Sequence, residues 1–547
     1  MWTSIATTEG VSHARLLSTS FAQFSQQVDG KDQRSSHEKL VWELAHILFD
    51  DYDDDISAGV PEHERPQFQQ RIRKDRLSRF WQQLVQDSAS NAVSVASTAE
   101  ERAIAHLSAY NIEDACGALL QGKDFRLATL VAQIGGDKVM REDMGNQIKE
   151  WRRLNVLSEF TEPIRALYEL LAGNTCVCEG KKGPLEDRAR TFVISDKFAL
   201  DWRRAFGLRL WYAIDADEPI EEAVHKFSQD MESDNEEKKP LPWFIEEGLD
   251  PLWKDEHAIE RTDLLWGLLQ LFAQGEKHSA TAIADIVMPQ NASRNPMNTR
   301  LSFQLYHALT GRASGERNKN LEHVDNEQAD QLAWDFATQL EAAGEWVWAV
   351  FAALHLSSAE RRQEALQSLI AHHAHQIGEA DSAPFSTLRD EFKIPEAWIW
   401  EAKALYARSV EQDHVKEVEF LLKAKSWSEA HKTLCRIVAP RAIIEQDYQI
   451  LSSLLDGFES KDLVEEWSLG GQVFQDFIAL MQGEGENGLK RLLAALPAMV
   501  KERPGKLGFM EMVAVQEMSG IVAGKVLEVK RSVSSQTYGV ALRKGQC

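Results

Sequence analysis

The chain has 547 residues, 44% of them hydrophobic and 27% charged, and its formal net charge is −24. This length exceeds a single compact core, so we expect several domains or an extended solenoid. The acidic excess excludes nucleic-acid binding as the main activity, because phosphate contacts need clustered Lys and Arg. Five scattered cysteines are typical of a reduced intracellular protein and not of a disulfide framework.

The N-terminal part of the chain changes from polar leader to helical pattern. Residues 1–36 are rich in Ser, Gln and Thr, and we predict a loose leader with one short helix over 14–24. The segment LVWELAHILFDD then shows the first strong helical face, and a second long helix is predicted over 67–87. The acidic run between them at 50–55 lacks the Gly and closing Glu of a calcium loop, so we interpret it as a solvated loop.

The apolar residues follow a helical period over 100–215, again over 262–287, and nearly continuously over 328–438. Polar breaks lie at 173–184, 229–242, 289–298, 311–320 and 378–384. The charged insertion at 229–242 predicts a mobile loop. Only 190–194 and 526–533 alternate briefly as a strand would. The pattern therefore predicts an all-α protein.

Three segments share a spacing in which a Leu is followed six residues later by a large aromatic residue and three further on by Ala. The three copies are Leu119/Phe125/Ala128, Leu340/Trp346/Ala349 and Leu421/Trp427/Ala430. Each copy predicts two antiparallel helices, the second of which begins at the aromatic residue. Stacked hairpins of this kind form scaffolds that act through shape and contact.

Candidate chemical motifs are weak. The letters of GxGxxG occur at 483–488, but a helical segment precedes them where a dinucleotide site needs a strand. Cys176 and Cys178 lack the second cysteine pair of a structural zinc site. His372 and His375 would share a helix face beside His373, yet no acidic residue at ligand spacing lies near them in the sequence. We therefore predict no catalytic residue, metal or cofactor, and a protein that is not an enzyme.

Long blocks of the chain resemble a known family. The blocks QADQLAWDFATQLEAAGEWVWAVFAALHL and FKIPEAWIWEAKALYARSVEQDHVKEVEFLLKAKSWSEAHKTLCRIVAPRAIIEQDY are similar to the Sec13-binding α-helical scaffold nucleoporins of the Y-shaped coat of the nuclear pore. ACGALLQGKDFRLATLVAQIGG and FALDWRRAFGLRLWYAI fit earlier helices of that family, and the likeness covers about 37–465. It points to a fungal member that lacks the N-terminal segment completing a β-propeller partner.

The resemblance implies an irregular α-helical solenoid folded back on itself, of the ancestral coatomer type. By analogy, residues 1–36 form the leader, 37–95 and 255–378 the trunk, 96–254 the crown and 379–547 the tail. It also implies a structural scaffold at the nuclear envelope, in the pore complex, that supports protein transport and mRNA export.

The same resemblance implies the partners. These are a stem nucleoporin bound crown to crown, two arm nucleoporins bound through the tail, and a β-propeller protein shared with vesicle coats, although residues 1–36 show no strand pattern with which to bind it. No direct nucleic-acid binding and no membrane insertion are expected. An outer rod of a vesicle coat is the alternative, but such rods usually carry an N-terminal propeller and a Pro-rich linker.

One predicted helix carries more apolar residues than a surface helix needs. Between residues 147 and 160, Ile148, Trp151, Leu154 and Leu157 recur at helical spacing. A surplus of this kind suits the crown–crown interface. An inward-facing stripe packed on the protein's own core remains the alternative at this stage.

Overall fold

The computed structural model describes residues 3–8, 10–17, 20–52, 60–136, 138–184, 187–233, 237–275, 280–313, 327–464, 466–483, 486–502 and 508–544. These residues form an all-α helical solenoid, which confirms the predicted fold class. The chain divides into two compact units, residues 1–4 with 15–339, and residues 5–14 with 340–547. The two strands near the N-terminus are β1 (Thr3–Thr8) and β2 (Val11–Leu16).

The first unit is built mainly from helices, with the short antiparallel pair β3 (Val177–Cys178) and β4 (Phe192–Val193). Its helices are α1 (Ala22–Ser25), α2 (Gln33–Phe49), α3 (Arg65–Val95), α4 (Ala99–Leu107), α5 (Ile112–Gln121), α6 (Phe125–Val131), α7 (Lys138–Arg153), α8 (Glu162–Leu171), α9 (Ile194–Lys197), α10 (Trp202–Leu208), α11 (Ile220–Glu232), α12 (Trp243–Glu246), α13 (Leu264–Gln274), α14 (Ala280–Ile286), α15 (Pro289–Ala292), α16 (Arg300–Ala313) and most of α17 (Glu327–Ala342).

The second unit begins within the last turn of α17 and is also built mainly from helices. Its helices are α18 (Trp346–Ala353), α19 (Ala359–His372), α20 (Ala374–Ile377), α21 (Ala383–Ser386), α22 (Glu396–Tyr406), α23 (His414–Lys423), α24 (Trp427–Thr433), α25 (Ala439–Glu445), α26 (Tyr448–Asp456), α27 (Gly471–Met481), α28 (Glu486–Glu502) and α29 (Phe509–Lys544). Turns of π-helix follow α10, α21, α22 and α24, at Arg209–Ala213, Thr387–Glu391, Ala407–Glu411 and Leu434–Val438.

The leader is where the sequence prediction was wrong. Strands β1 and β2 pair in a two-stranded sheet, and the predicted helix over 14–24 shrinks to the single turn α1. The reason is a set of contacts with distant residues: the amide of Ala14 donates to the Leu354 carbonyl at 2.9 Å, and the Ser12 hydroxyl donates to the Lys393 carbonyl at 2.5 Å. A strand fixed by partners so far along the chain leaves only a weak local pattern.

The two segments that alternate briefly in the sequence have different structures. Strand β4 lies within the 190–194 segment. The 526–533 segment, in contrast, is helical, because it belongs to the long helix α29. Ala514, Met518 and Val522 of that helix are buried at four-residue spacing, which is the period of a helix and not of a strand. Residues 53–55 of the acidic run and residues 234–236 of the 229–242 insertion lie outside the described residues.

The three predicted helix–turn–helix segments are found as α5/α6, α17/α18 and α23/α24, and the two helices pack on each other in α5/α6 and in α23/α24. In each, the amide just before the aromatic residue donates to the carbonyl of the Leu. The pairs are Asp124 to Leu119 (3.0 Å), Glu345 to Leu340 (2.9 Å) and Ser426 to Leu421 (3.0 Å). The loop residues Lys123, Gly344 and Lys425 have φ of 67°, 84° and 60°. This left-handed turn satisfies the last carbonyls of the first helix and reverses the chain.

Aromatic side chains fill the core of the first unit. The indole of Trp266 on α13 meets the rings of Phe206 and Phe227 at 5.9 and 5.0 Å between centroids. Helix α2 packs against α13 through an edge-to-face contact between Phe49 and Phe272, whose ring centroids are 6.1 Å apart. Early and late segments of this unit therefore share one apolar core.

Candidate protein–protein interface

Helix α7 carries the residues predicted to meet a partner. Its last turn ends in Arg152 and Arg153, whose charges suit the negative end of the helix dipole. Asn155 then takes a left-handed conformation, with φ of 61°, and the ammonium group of Lys181 donates to the Arg152 carbonyl at 2.8 Å. The end of α7 is therefore fixed by side chains from the same unit.

The structure separates the four predicted interface residues into two groups. Ile148 and Leu157 are each 5% exposed and belong to the core of the unit, so a partner cannot reach them in this fold. Trp151 is half-buried and makes edge contacts with Phe160 (5.2 Å) and Tyr168 (4.8 Å). Leu154 is 54% exposed. The stripe thus faces inward over much of its length, which was the alternative interpretation, and only Leu154 and part of Trp151 are open to a partner.

Charged groups frame this accessible end of α7. Arg152 forms an ion pair with Glu179 at 2.6 Å, and Arg153 donates to Glu150 through Nε at 2.8 Å. The hydrogen bond from Arg153 lowers the pKa of Glu150 below its ordinary value. An exposed leucine bordered by paired charges has the composition of a polar-rimmed contact.

Sequence reasoning missed several exposed apolar residues. Phe125, which opens the hairpin helix α6, is 65% exposed, and Leu120 beside it is 49% exposed. In the second unit the exposed apolar side chains concentrate after residue 460: Leu463, Leu493, Val500, Phe509, Met510, Met512 and Leu527. Their spacing in the sequence does not distinguish them from core residues, because a helix with two apolar faces has no single stripe.

The candidate chemical sites are rearranged by the fold. Within 483–488, Glu484 and Gly485 lie outside the described residues; the described flanks are the end of α27 and the start of α28. Cys176 and Cys178 are buried, Cys178 within β3 and not in a loop, and burial raises the pKa of the Cys178 thiol to about 12. Such a thiol is a poor nucleophile at neutral pH.

The three histidines do not share one helix face. Helix α19 ends at His372 and α20 begins at Ala374, so His372 and His375 lie on different helices and not on the one helix face expected from the sequence. Instead, His372 and His373 meet Glu341 from the end of α17. These three residues form a group whose donor atoms could hold a metal ion.

None of the described helices combines the length and the apolar content needed to cross a bilayer. Exposed apolar side chains occur at helix ends, as at Leu154, and also within helices, as at Leu527. Helices joined by turns, with many apolar side chains left exposed, define a helical scaffold protein.

Comparison with known proteins identifies the scaffold. The family described as "Nup96: Nuclear protein 96" matches residues 101–406. Nucleoporin NUP145 of Chaetomium thermophilum is 37% identical over 82% of this chain and 22% of its own length. Nucleoporin nup189 of Schizosaccharomyces pombe is 30% identical over 82% of the chain and 24% of its own length. Nuclear pore complex protein NUP96 of Arabidopsis thaliana is 24% identical over 81% of the chain and 42% of its own length.

The chain belongs to the Nup96 family of nuclear pore scaffold nucleoporins. This places it at the nuclear pore, in a structural role that the family generally performs without catalysis. The chain spans about a quarter of the length of NUP145 and nup189.

Proposed function

We propose that this chain builds the Y-shaped coat subcomplex of the nuclear pore by joining other nucleoporins through helical interfaces, and so supports protein transport and mRNA export. The observation that carries the proposal is the family match over 101–406, a range in which the described residues form helices α4 to α22. We further propose a fungal origin, since two of the relatives named above are fungal proteins.

The proposed modules are a trunk (37–95 and 255–378), a crown (96–254) and a tail (379–547), preceded by the leader. Packing of Phe49 on α2 against Phe272 on α13 supports the pairing of early and late trunk segments. In this proposal the crown contains α7, and the tail contains α21 to α29.

The crown would bind the stem nucleoporin through the end of α7. Leu154 offers an apolar side chain that its own core does not cover, and Trp151 beside it is already held by Phe160 and Tyr168. Ordered aromatic residues next to an exposed leucine lose little entropy on binding, which favours a contact there. The tail would join the two arms, and the exposed apolar residues of α28 and α29 support that role.

The proposal also includes the β-propeller partner. Strands β1 and β2 form a two-stranded sheet, and addition of strands to a sheet is a common way in which β-proteins bind one another. Ser12 and Ala14 fix β2 to the helices of the second unit, so the sheet is held in place before any partner binds. The sheet therefore supports Sec13-type binding, which the leader's sequence alone did not predict.

Co-migration on a sizing column tests the proposal with the purified chain, a stem nucleoporin, two arm nucleoporins and a coat β-propeller protein. Leu154→Glu is expected to weaken stem binding at least tenfold, because a buried unpaired carboxylate is costly. Val95→Glu is the matched control, since Val95 is 81% exposed at the end of α3. If Leu154→Glu binds the stem as the unchanged chain does, α7 is not the interface. If no Y-complex protein co-migrates, the function proposed here fails and the vesicle-coat rod is preferred.

A further inference from the structure

A cluster of one carboxylate and two imidazoles lies at the junction of α17 and α19. The Glu341 carboxylate oxygen Oε1 is 3.0 Å from His372 Nδ1 and 2.9 Å from His373 Nε2. Donor atoms of all three side chains lie within 4.8 Å of one another. We propose that Glu341, His372 and His373 bind a divalent zinc ion, which would tie the α17/α18 hairpin to the end of α19.

The donor set fits zinc. Two imidazole nitrogens and one carboxylate oxygen are borderline ligands that zinc accepts, with water completing a four-coordinate site. Zn–N and Zn–O bonds of about 2.0–2.1 Å at tetrahedral angles separate neighbouring ligand atoms by roughly 3.3 Å. The separations of 2.9 and 3.0 Å therefore require only a small widening to admit the ion. Mg²⁺ and Ca²⁺ fit poorly, because they prefer sets made only of oxygen.

The surroundings hold these groups in position before any ion binds. The His373 imidazole stacks on the Trp346 indole, with centroids 5.3 Å apart and planes 13° from parallel. Glu341 precedes the hairpin turn, where the Gly344 amide donates to the Glu341 carbonyl at 2.9 Å. Packing therefore positions the His373 donor, and the turn positions the main chain that carries Glu341, which reduces the entropy lost on metal binding.

The side chains of the three proposed ligands differ in how exposed they are. The side chains of Glu341 and His373 are 26% and 14% exposed, whereas that of His372 is 76% exposed. An ion can therefore enter from the His372 side. The buried Nδ1 of His373 has no hydrogen-bond partner in the structure. This atom would also lack a partner if the three residues formed only an ion pair, so it does not distinguish the two cases. The proposal of a zinc site rests on the three ligand atoms that lie close to one another.

Calorimetric titration with zinc chloride tests the proposal on the full chain, purified without a histidine tag and stripped with a chelator. We expect one zinc ion per chain and a higher melting temperature with zinc. His372→Ala and Glu341→Gln should each weaken binding at least tenfold. The control is His257→Ala, because the His257 side chain is 64% exposed and is not in the cluster; its zinc affinity should equal that of the unchanged chain.

Cobalt provides a second readout. Co²⁺ in a site of two imidazoles and one carboxylate should give visible absorption bands typical of tetrahedral coordination, and His372→Ala should remove them. The proposal is overturned if zinc binds without a saturable single site, or if His372→Ala and Glu341→Gln bind it as the unchanged chain does. In either case the three residues form an ion pair only. These outcomes are independent of nucleoporin binding, so they do not bear on the function proposed above.

Discussion

The Trp346 indole stacks on the His373 imidazole, 5.3 Å away between ring centroids. Trp346 opens α18, as the repeated spacing predicts, and His373 immediately follows the last residue of α19. One aromatic contact therefore joins the hairpin motif to the histidine cluster. The Trp346 side chain thus supports both the packing at the start of α18 and the position of the proposed metal ligand His373.

Replacing Trp346 with Ala should lower the free energy of unfolding by about 3–5 kcal/mol, the range for deletion of a buried aromatic side chain. Trp346 is 5% exposed, so its removal leaves a cavity beneath α19. Urea unfolding followed by circular dichroism measures the loss. Trp348→Ala is the control on the same helix, since Trp348 is 46% exposed and should cost no more than about 1 kcal/mol. Equal losses for the two variants would contradict the assigned packing.

The helical hairpins were predictable from the sequence because their information is local. A Leu carbonyl, a left-handed turn residue and the aromatic start of the next helix all lie within a few positions, as at Leu340, Gly344 and Trp346. Their depth of burial was not predictable. Trp346 is buried, Trp427 is half-buried and Phe125 is exposed, because burial depends on which neighbouring hairpin covers each tip. For that reason Trp427→Ala should cost less than Trp346→Ala.

The strands of the leader and the cluster of Glu341, His372 and His373 were not predicted from the sequence, and both for the same physical reason. Strand β2 is fixed by bonds to Leu354 and Lys393, and the acid that meets His373 is Glu341, 32 positions away. Local spacing cannot report contacts between distant segments. The apolar stripe of α7 shows a second limit of sequence-based prediction. Helical periodicity identifies an apolar face, but it does not indicate whether the protein's own core or a partner covers that face.

The buried guanidinium of Arg209 provides a second test of packing. It is 0% exposed, and its Nη2 donates to Asp230 and to Glu237 at 2.7 Å each. Arg209→Met should lower the free energy of unfolding by about 3–5 kcal/mol, because Glu237 keeps a buried charge without its partner. Thermal unfolding measures the loss, and adding Glu237→Gln to the variant should recover part of it. A double variant no more stable than Arg209→Met would show that lost packing, and not the unpaired charge, is the cause.

Glu246 should make stability depend on pH. Burial raises the pKa of its carboxyl to about 8 despite the guanidinium of Arg203, 3.2 Å away. Because this folded-state pKa exceeds the ordinary value of 4.5, the folded chain binds the proton more tightly than the unfolded chain. The stability from this group is complete below pH 4.5 and is lost as the pH rises through 8.

Glu246→Gln keeps the shape of the side chain and removes the titration. Urea-unfolding midpoints between pH 5 and 9 should therefore fall less steeply with rising pH for Glu246→Gln than for the unchanged chain. As a control, Glu445→Gln alters an exposed ion pair with Arg441 and should leave the slope unchanged. Parallel pH profiles for Glu246→Gln and the unchanged chain would rule out a raised pKa.

The Arg362 side chain holds strand β2 against other residues of the second unit. Its Nε donates to the Ser12 carbonyl at 2.9 Å, and its Nη1 donates to the Leu356 carbonyl at 2.5 Å. Arg362→Ala should therefore release residues 11–14 and raise their amide hydrogen exchange, since a strand that loses a buried charged donor opens more often. Hydrogen–deuterium exchange with mass spectrometry measures this, and Arg361→Ala is the neighbouring control. If exchange rises equally over α19, the substitution has unfolded the helix, and Arg362 supports the helix more than the strand.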